Sequence, residues 1–200
     1  MEPAAASGLG RPRDPGVDQR VLRAAAEVFG EEGWAGFTVD AVARRAGVGK
    51  ASIYLRWPNK EALLAGALQA RIGRVDDIDT GSVRDDLVAL ARQLLAGFLG
   101  DSGRATIRLL TDADTVPGAD GHVAAVQRAQ VRAARAIVHR GIRRGELRPG
   151  TSVTLLLDAV VGGCLNHVLA TPAHLRATVA AGADAYAADL VDFVLGLARP

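Results

Sequence analysis

Apolar residues recur three and four positions apart along most of the chain, and no stretch alternates apolar with polar as a half-buried strand would. From Pro15 to about Glu32, Val17, Val21, Leu22, Ala25, Val28 and Phe29 fall on one helical face, with Arg20, Arg23, Glu27 and Glu31 opposite. Asp14 before Pro15 supplies an N-cap and a first helical residue whose missing N–H does no harm. Gly33 is predicted to end this helix in a left-handed conformation. After the link from Trp34 to Phe37, Thr38 caps a short helix through Ala46, with Asp40 in its positive first turn and Val39, Val42, Ala43 and Ala46 on the buried side. Gly47-Val48-Gly49 breaks the run, and a second short helix from Lys50 stops before Pro58, which disfavours helix in the residue ahead of it. Asn59 then caps a longer helix carrying Leu64, Leu68, Ile72 and Val75.

The polar stretch from Asp76 to Ser82 separates this group from five further helical segments, at about 83–99, 103–113, 120–144, 152–169 and 173–197. Pro117-Gly118, Gly145, Pro149-Gly150 and Thr171-Pro172 punctuate them. Residues 153–170 are apolar around most of the helix, so the helix must be covered on all sides. The last segment repeats Val179, Ala183, Tyr186, Leu190, Phe193, Val194 and Leu197 at helical spacing. Composition agrees: hydrophobic residues make up 49% of the chain but aromatics only 4%, a mixture that favours helices over strands. The fold class expected is all-α.

Net charge is only +2, so the chain is not broadly basic. Its first 74 residues hold 11 Lys and Arg against 8 Asp and Glu, and both lysines, Lys50 and Lys60, lie among them, so the N-terminal part is the cationic one. A single cysteine, Cys164, rules out an internal disulfide, suits a reducing cytoplasm and reads as a buried thiol. The first residues, MEPAAASGLGRPRDPG, lack a continuous apolar core and read as a flexible arm rather than a signal peptide. Asp158, Asn166 and His167 within or near the most apolar stretch favour a buried helix over a membrane span. No membrane, metal or cofactor is implied.

The chemistry concentrates between Thr38 and Lys60, TVDAVARRAGVGKASIYLRWPNK. Two short helices about a glycine turn have the anatomy of a helix-turn-helix, in which the first crosses the DNA backbone and the second enters the major groove. Lys50, Ser52, Tyr54, Arg56 and Lys60 provide donors and positive charge, while Ile53 and Trp57 can anchor the helix from behind. Taken singly, Tyr54 and Trp57 fit core aromatics and the arginines fit a solvated face; their order together is what points to DNA.

That stretch, continued as KEALL and preceded by VLRAAAEVFGEEGWAGF, resembles the TetR family of bacterial repressors, whose pattern here is close to T-V-x-x-I-A-x-x-A-G-V-S-x-G-T-L-Y-x-Y-F-P-S-K-E-x-L. The resemblance covers roughly residues 17–65. It implies nine or ten helices, a dimer, and a C-terminal domain in which a ligand alters the spacing of two DNA-binding heads. The implied layout is a flexible arm over 1–14, a three-helix helix-turn-helix domain over 15–60, and a helical effector-binding and dimerisation domain over 61–200. Carried over by position, the resemblance puts Thr38, Tyr54 and Lys60 on phosphates with Arg44 or Arg45 nearby, and Lys50, Ala51, Ser52 and Arg56 closest to base edges. Two departures matter: Gly49 replaces a serine N-cap, and Leu55-Arg56 replaces a polar-aromatic pair, so the target sequence cannot be borrowed.

The RGELRP turn ahead of an apolar helix resembles a C-terminal domain type of the same family. The last two helices of each subunit would form a four-helix interface on a two-fold axis, with Gly162, Gly163 and Cys164 allowing close approach. An apolar effector cavity would lie within this domain, with Phe98, Ile107, Leu110, Thr111, Asn166 and His167 as candidate ligand contacts. Each of these also fits plain packing. The expected partners are therefore double-stranded operator DNA, a small-molecule effector and a second copy of the chain. Enzymatic activity through Cys164 or His167 is not expected, since their neighbours are apolar and no nucleophile elbow, metal-ligand pair or phosphate loop is present. A helical adaptor without DNA binding would not need Lys50, Tyr54, Arg56 and Lys60.

Overall fold

The computed structural model describes residues 15–70, 78–112, 116 and 122–198. The arm over 1–14 with its Asp14 cap, Ile72 and Val75, the Pro117-Gly118 break and the side chain of Leu197 lie outside what is described. Among the described residues there is no strand; the elements are α1 (Pro15–Gly36), α2 (Val39–Ala46), α3 (Lys50–Tyr54), α4 (Lys60–Gln69), α5 (Val83–Leu99), α6 (Gly103–Asp112), α7 (His122–Arg143), α8 (Val153–Leu169), a 3-10 turn (Ala173–Leu175), α9 (Arg176–Ala181) and α10 (Ala183–Ala198). The all-α architecture is as expected.

Two apolar cores form. In the first, Val21, Ala25, Val28 and Phe29 of α1 meet Val39 and Val42 of α2, Ile53 of α3, and Leu63, Leu64, Ala67 and Leu68 of α4. Phe37 closes one end, edge-on to Phe29 at 6.3 Å and stacked on Trp34 at 5.9 Å. The buried face of α4 belongs to this core, so the packing of the head runs past residue 60. The second core gathers Leu87, Leu90 and Leu95 of α5, Ile137 and Val138 of α7, Val160 and Cys164 of α8, and Val191 and Leu195 of α10.

Helix α6 joins the two bodies: Ala105 and Leu109 sit in the first core while Ile107 packs against the second. The approach of α6 to α1 is close. A β-carbon at Gly30 would stand 2.8 Å from the Ala105 backbone nitrogen and 3.0 Å from the Arg104 β-carbon, so only glycine fits there.

Two glycine breaks differ from the sequence expectation. At Gly33 the backbone does leave the helix (φ 68°, ψ −173°), but helical bonding resumes, and the Phe37 N–H donates to Gly33 O at 3.0 Å. The last segment, expected as one helix, divides at Gly182 into α9 and α10. The Gly182 N–H bonds back to Thr178 O at 3.1 Å, and its carbonyl accepts from Tyr186 at 3.0 Å, so it ends one helix and begins the next.

The stretch leading into α5 is tied down by charge. Fully buried Asp86 accepts from the Thr80 N–H at 2.6 Å and the Thr80 hydroxyl at 2.8 Å, and faces Arg140 of α7 and Arg144 just past its end. Arg144 also pairs with Asp79 at 2.6 Å, Arg140 donates to Ile78 O, and Glu146 of the RGELRP turn accepts from the Val83 N–H at 2.7 Å. The Arg144 guanidinium beside Asp79 holds that carboxyl below its ordinary range.

Candidate nucleic-acid interface

Thr38 is extended (φ −130°, ψ 149°), and its hydroxyl accepts the Ala41 N–H at 3.1 Å, starting α2 as the sequence predicts. Val39, Ala41, Val42 and Ala43 are buried, and Arg44 and Arg45 face outward. Gly47 then adopts the left-handed conformation (φ 66°, ψ 39°), returning its N–H toward the last carbonyls of α2 and turning the chain. Gly49 precedes α3 without a side-chain cap. Helix α3 therefore starts with less fixing than a serine would give it.

What holds α3 is Ile53, which is fully buried in the first core, with half-buried Trp57 behind it. The rest of the helix faces out: Lys50, Ala51 and Tyr54 are exposed, Ser52 is half-buried, and Leu55, the residue that caps its end, is almost bare at 83%. An exposed leucine beside Tyr54 was not among the sequence candidates; the sequence marked it only through the Leu55-Arg56 departure from the family pattern.

Several of the candidate cations are already partnered within the protein. Arg45 pairs with Glu31 at 2.7 Å and Glu27 at 3.8 Å, lowering the Glu31 carboxyl by its hydrogen bond. Lys50 meets Asp40, and the Lys60 ammonium lies 3.9 Å over the Trp34 ring. Arg56 does not point outward with Tyr54 and Leu55. Its guanidinium turns back to Asp18 of α1 and to Ser52 O at 3.0 Å, leaving the side chain 20% exposed.

The six candidate ligand residues are not brought to one cavity. Phe98 is buried in the second core and Ile107 packs against it, whereas Leu110 and Thr111 lie exposed on α6 and Asn166 is exposed on α8. His167 stacks on Tyr186 at 3.7 Å, and the Tyr186 hydroxyl donates to Gly163 O at 3.1 Å. Helical spacing cannot tell which side of a helix faces a hollow and which faces water, and here the six divide between the two. A cleft of about 720 Å³ instead opens between α1 and the α5–α6 turn, lined by residues including Gln19, Arg20, Arg23, Gly97, Asp101 and Ser102.

Among the described residues no cluster of His, Cys, Asp and Glu is arranged to hold a metal ion, and no single helix is long and apolar enough to cross a membrane. Cys164 is fully buried, with its thiol pushed up to about 11 by loss of solvent. Leu155, Leu169 and Phe193, on α8 and α10, are large apolar side chains left in water, so the all-round cover expected for α8 is not given by this chain alone.

Residues 21–67 match the family described as bacterial regulatory proteins, tetR family, and residues 77–194 match the tetracyclin repressor-like C-terminal domain. The uncharacterized HTH-type transcriptional regulator YdeS of Bacillus subtilis (strain 168) is 32% identical over 188 residues, covering 92% of this chain and 91% of that one. The HTH-type transcriptional regulator AqdR of Rhodococcus erythropolis is 35% identical over 159 residues, 76% of this chain and 73% of its own. In fold, the chain resembles the transcriptional regulator FadR from Bacillus subtilis, solved in complex with stearoyl-CoA, with a TM-score of 0.66 at 19% identity over 88% of this chain and 97% of that one. The glycine-turned helix pair, the partly bare α3 and matches spanning both bodies together place this chain in the TetR family of helix-turn-helix transcriptional regulators.

Proposed function

We propose that this regulator is a ligand-responsive repressor that occupies a palindromic operator as a two-fold dimer. The observation that carries the reading is α3 itself: one buried anchor, Ile53, and an outward face of Lys50, Ala51, Tyr54 and Leu55. Such a helix suits a groove better than a protein core. In this reading Lys50, Ala51 and Ser52 approach base edges, with Leu55 available to a thymine methyl. Thr38, Arg44, Arg45, Tyr54 and Lys60 attend to phosphates, which set register and salt dependence.

The bare apolar residues of α8 and α10 support a second copy as their cover. A two-fold pair would present its α3 helices to major grooves about 34–36 Å apart, or a multiple of that. The effector reading rests on α6, which touches both cores and lies against α1 at Gly30. A ligand binding one placement of α6 more tightly would shift the spacing of the heads, by a coupling of about 1–3 kcal/mol. Phe98 and Ile107 are the retained contacts for an apolar ligand, because both border the second core. Non-enzymatic action in the cytoplasm accords with this reading.

Selection of duplexes from a random pool by the purified protein tests it. Enrichment of an inverted repeat is the expected result; enrichment of nothing, or a monomer in sedimentation, would overturn the reading.

A further inference from the structure

We infer that Arg56 is a positioning residue that braces α3 against α1, with Asp18 as its anchor, rather than a reader of bases. The inference rests on the operator-binding reading and concerns how α3 is aimed.

The local hydrogen bonds require something at this end of the helix. Both the Arg56 and Trp57 N–H groups donate to Ile53 O, at 2.9 Å each, so the chain tightens and the Arg56 N–H no longer serves Ser52 O. That carbonyl would be one of the unsatisfied acceptors of a helix C-terminus. Arg56 Nη1 reaches back to it at 3.0 Å and to the Ser52 hydroxyl at 3.4 Å.

The other edge of the same guanidinium faces Asp18, and both Arg56 Nε and Asp18 Oδ1 are shut off from solvent. Asp18 is a firm anchor. It lies in the first turn of α1, where the helix dipole favours a carboxylate, and the following turns of α1 are locked into the first core by Val21 and Ala25. Helix α3 has only five residues, no side-chain N-cap and one fully buried side chain, so Arg56 supplies a second fixed point at its far end. A planar guanidinium can serve a carboxylate and a carbonyl at once, which a lysine ammonium does with poorer geometry.

The test uses the full chain and a duplex enriched by the wild type. Asp18→Asn and Arg56→Gln should each weaken binding about fivefold to tenfold on every duplex alike, and the double variant should be no weaker than the weaker single. The sequence enriched from a random pool should be the same for all four proteins. Asp18→Glu should retain wild-type affinity, and matching circular dichroism with titrated active fractions separates aiming from loss of fold. If Arg56→Gln enriches a different base at one position of each half-site while Asp18→Asn changes nothing, Arg56 reads that base and the proposal is overturned. Tighter binding by Asp18→Asn would also overturn it, since the acid would then be masking a DNA contact. A wild type that enriches no sequence would overturn the operator reading itself, an outcome distinct from the other two.

Discussion

In the head formed by α1–α4, Val21, Phe29, Phe37, Ile53 and Leu63 are buried, and the large apolar side chains left in water are Tyr54 and Leu55, side by side at the end of α3. The body formed by α5–α10 differs in its exceptions: Asp86 lies fully buried with arginines around it, while Leu155, Leu169 and Phe193 stand in water. Each region has a closed core, so these leftovers are not failures of folding. In the function proposed above, a polyanion covers the one surface and a second copy of the chain the other.

The largest effects should come from the two interiors. Phe29→Ala in the head, where the ring is fully buried against Phe37, should cost about 3–5 kcal/mol. Asp86→Ala in the body, which takes the buried acceptor from the Thr80 N–H and hydroxyl and a facing charge from Arg140 and Arg144, should cost about 3 kcal/mol. Denaturant unfolding followed by tryptophan fluorescence, with both Trp34 and Trp57 in the head, and by circular dichroism for the whole would report each. If either substitution lowered both signals together, the two bodies would be one cooperative unit and the contrast between them would lose its energetic meaning.

Next comes the apolar surface of the body. Phe193→Asp, at a side chain 69% exposed, should leave the monomer folded but dissociate the dimer, lowering operator affinity about a hundredfold through lost bivalency. Sedimentation and binding titrations check this, and an unchanged dimer would remove Phe193 from the interface. A smaller effect is due at Lys60. Lys60→Ala should weaken binding to all sequences and reduce the slope of log affinity against log salt by about 1. An unaltered slope would leave Lys60 serving only the Trp34 ring beneath it.

The smallest concerns Asp79, whose carboxyl is held low by Arg144. A depressed carboxylate adds stability that is fully present above its ordinary value of 3.8 and lost as pH falls through the lower folded value. Wild type should therefore exceed Asp79→Asn slightly in thermal stability at neutral pH, and the difference should vanish in strong acid. A difference that persisted there would assign the effect to something other than ionisation.

The helix-turn-helix was legible in the sequence because its parts are neighbours: Thr38 caps its own helix, Gly47 turns its own chain, and Pro58 limits the helix just ahead of it. Helix breaks marked by polar or proline residues were read well for the same reason. Gly182 was not, since it sits in an alanine-rich run and the helix restarts at the next residue. The ligand contacts were not legible either, because a cavity is a relation among helices and spacing along one helix does not show which side looks inward. The pairing of Asp18 with Arg56 likewise exists only after α1 and α3 have met. A local motif could name Arg56 as basic but could not say that its charge was already engaged.

The hydrogen atom that serves as the side chain of Gly30 sets the gap between the head and α6. Parts in such close contact have little slack, so in the effector reading a shift of α6 would be handed on to α1 rather than absorbed. A methyl group at position 30 would wedge that joint open.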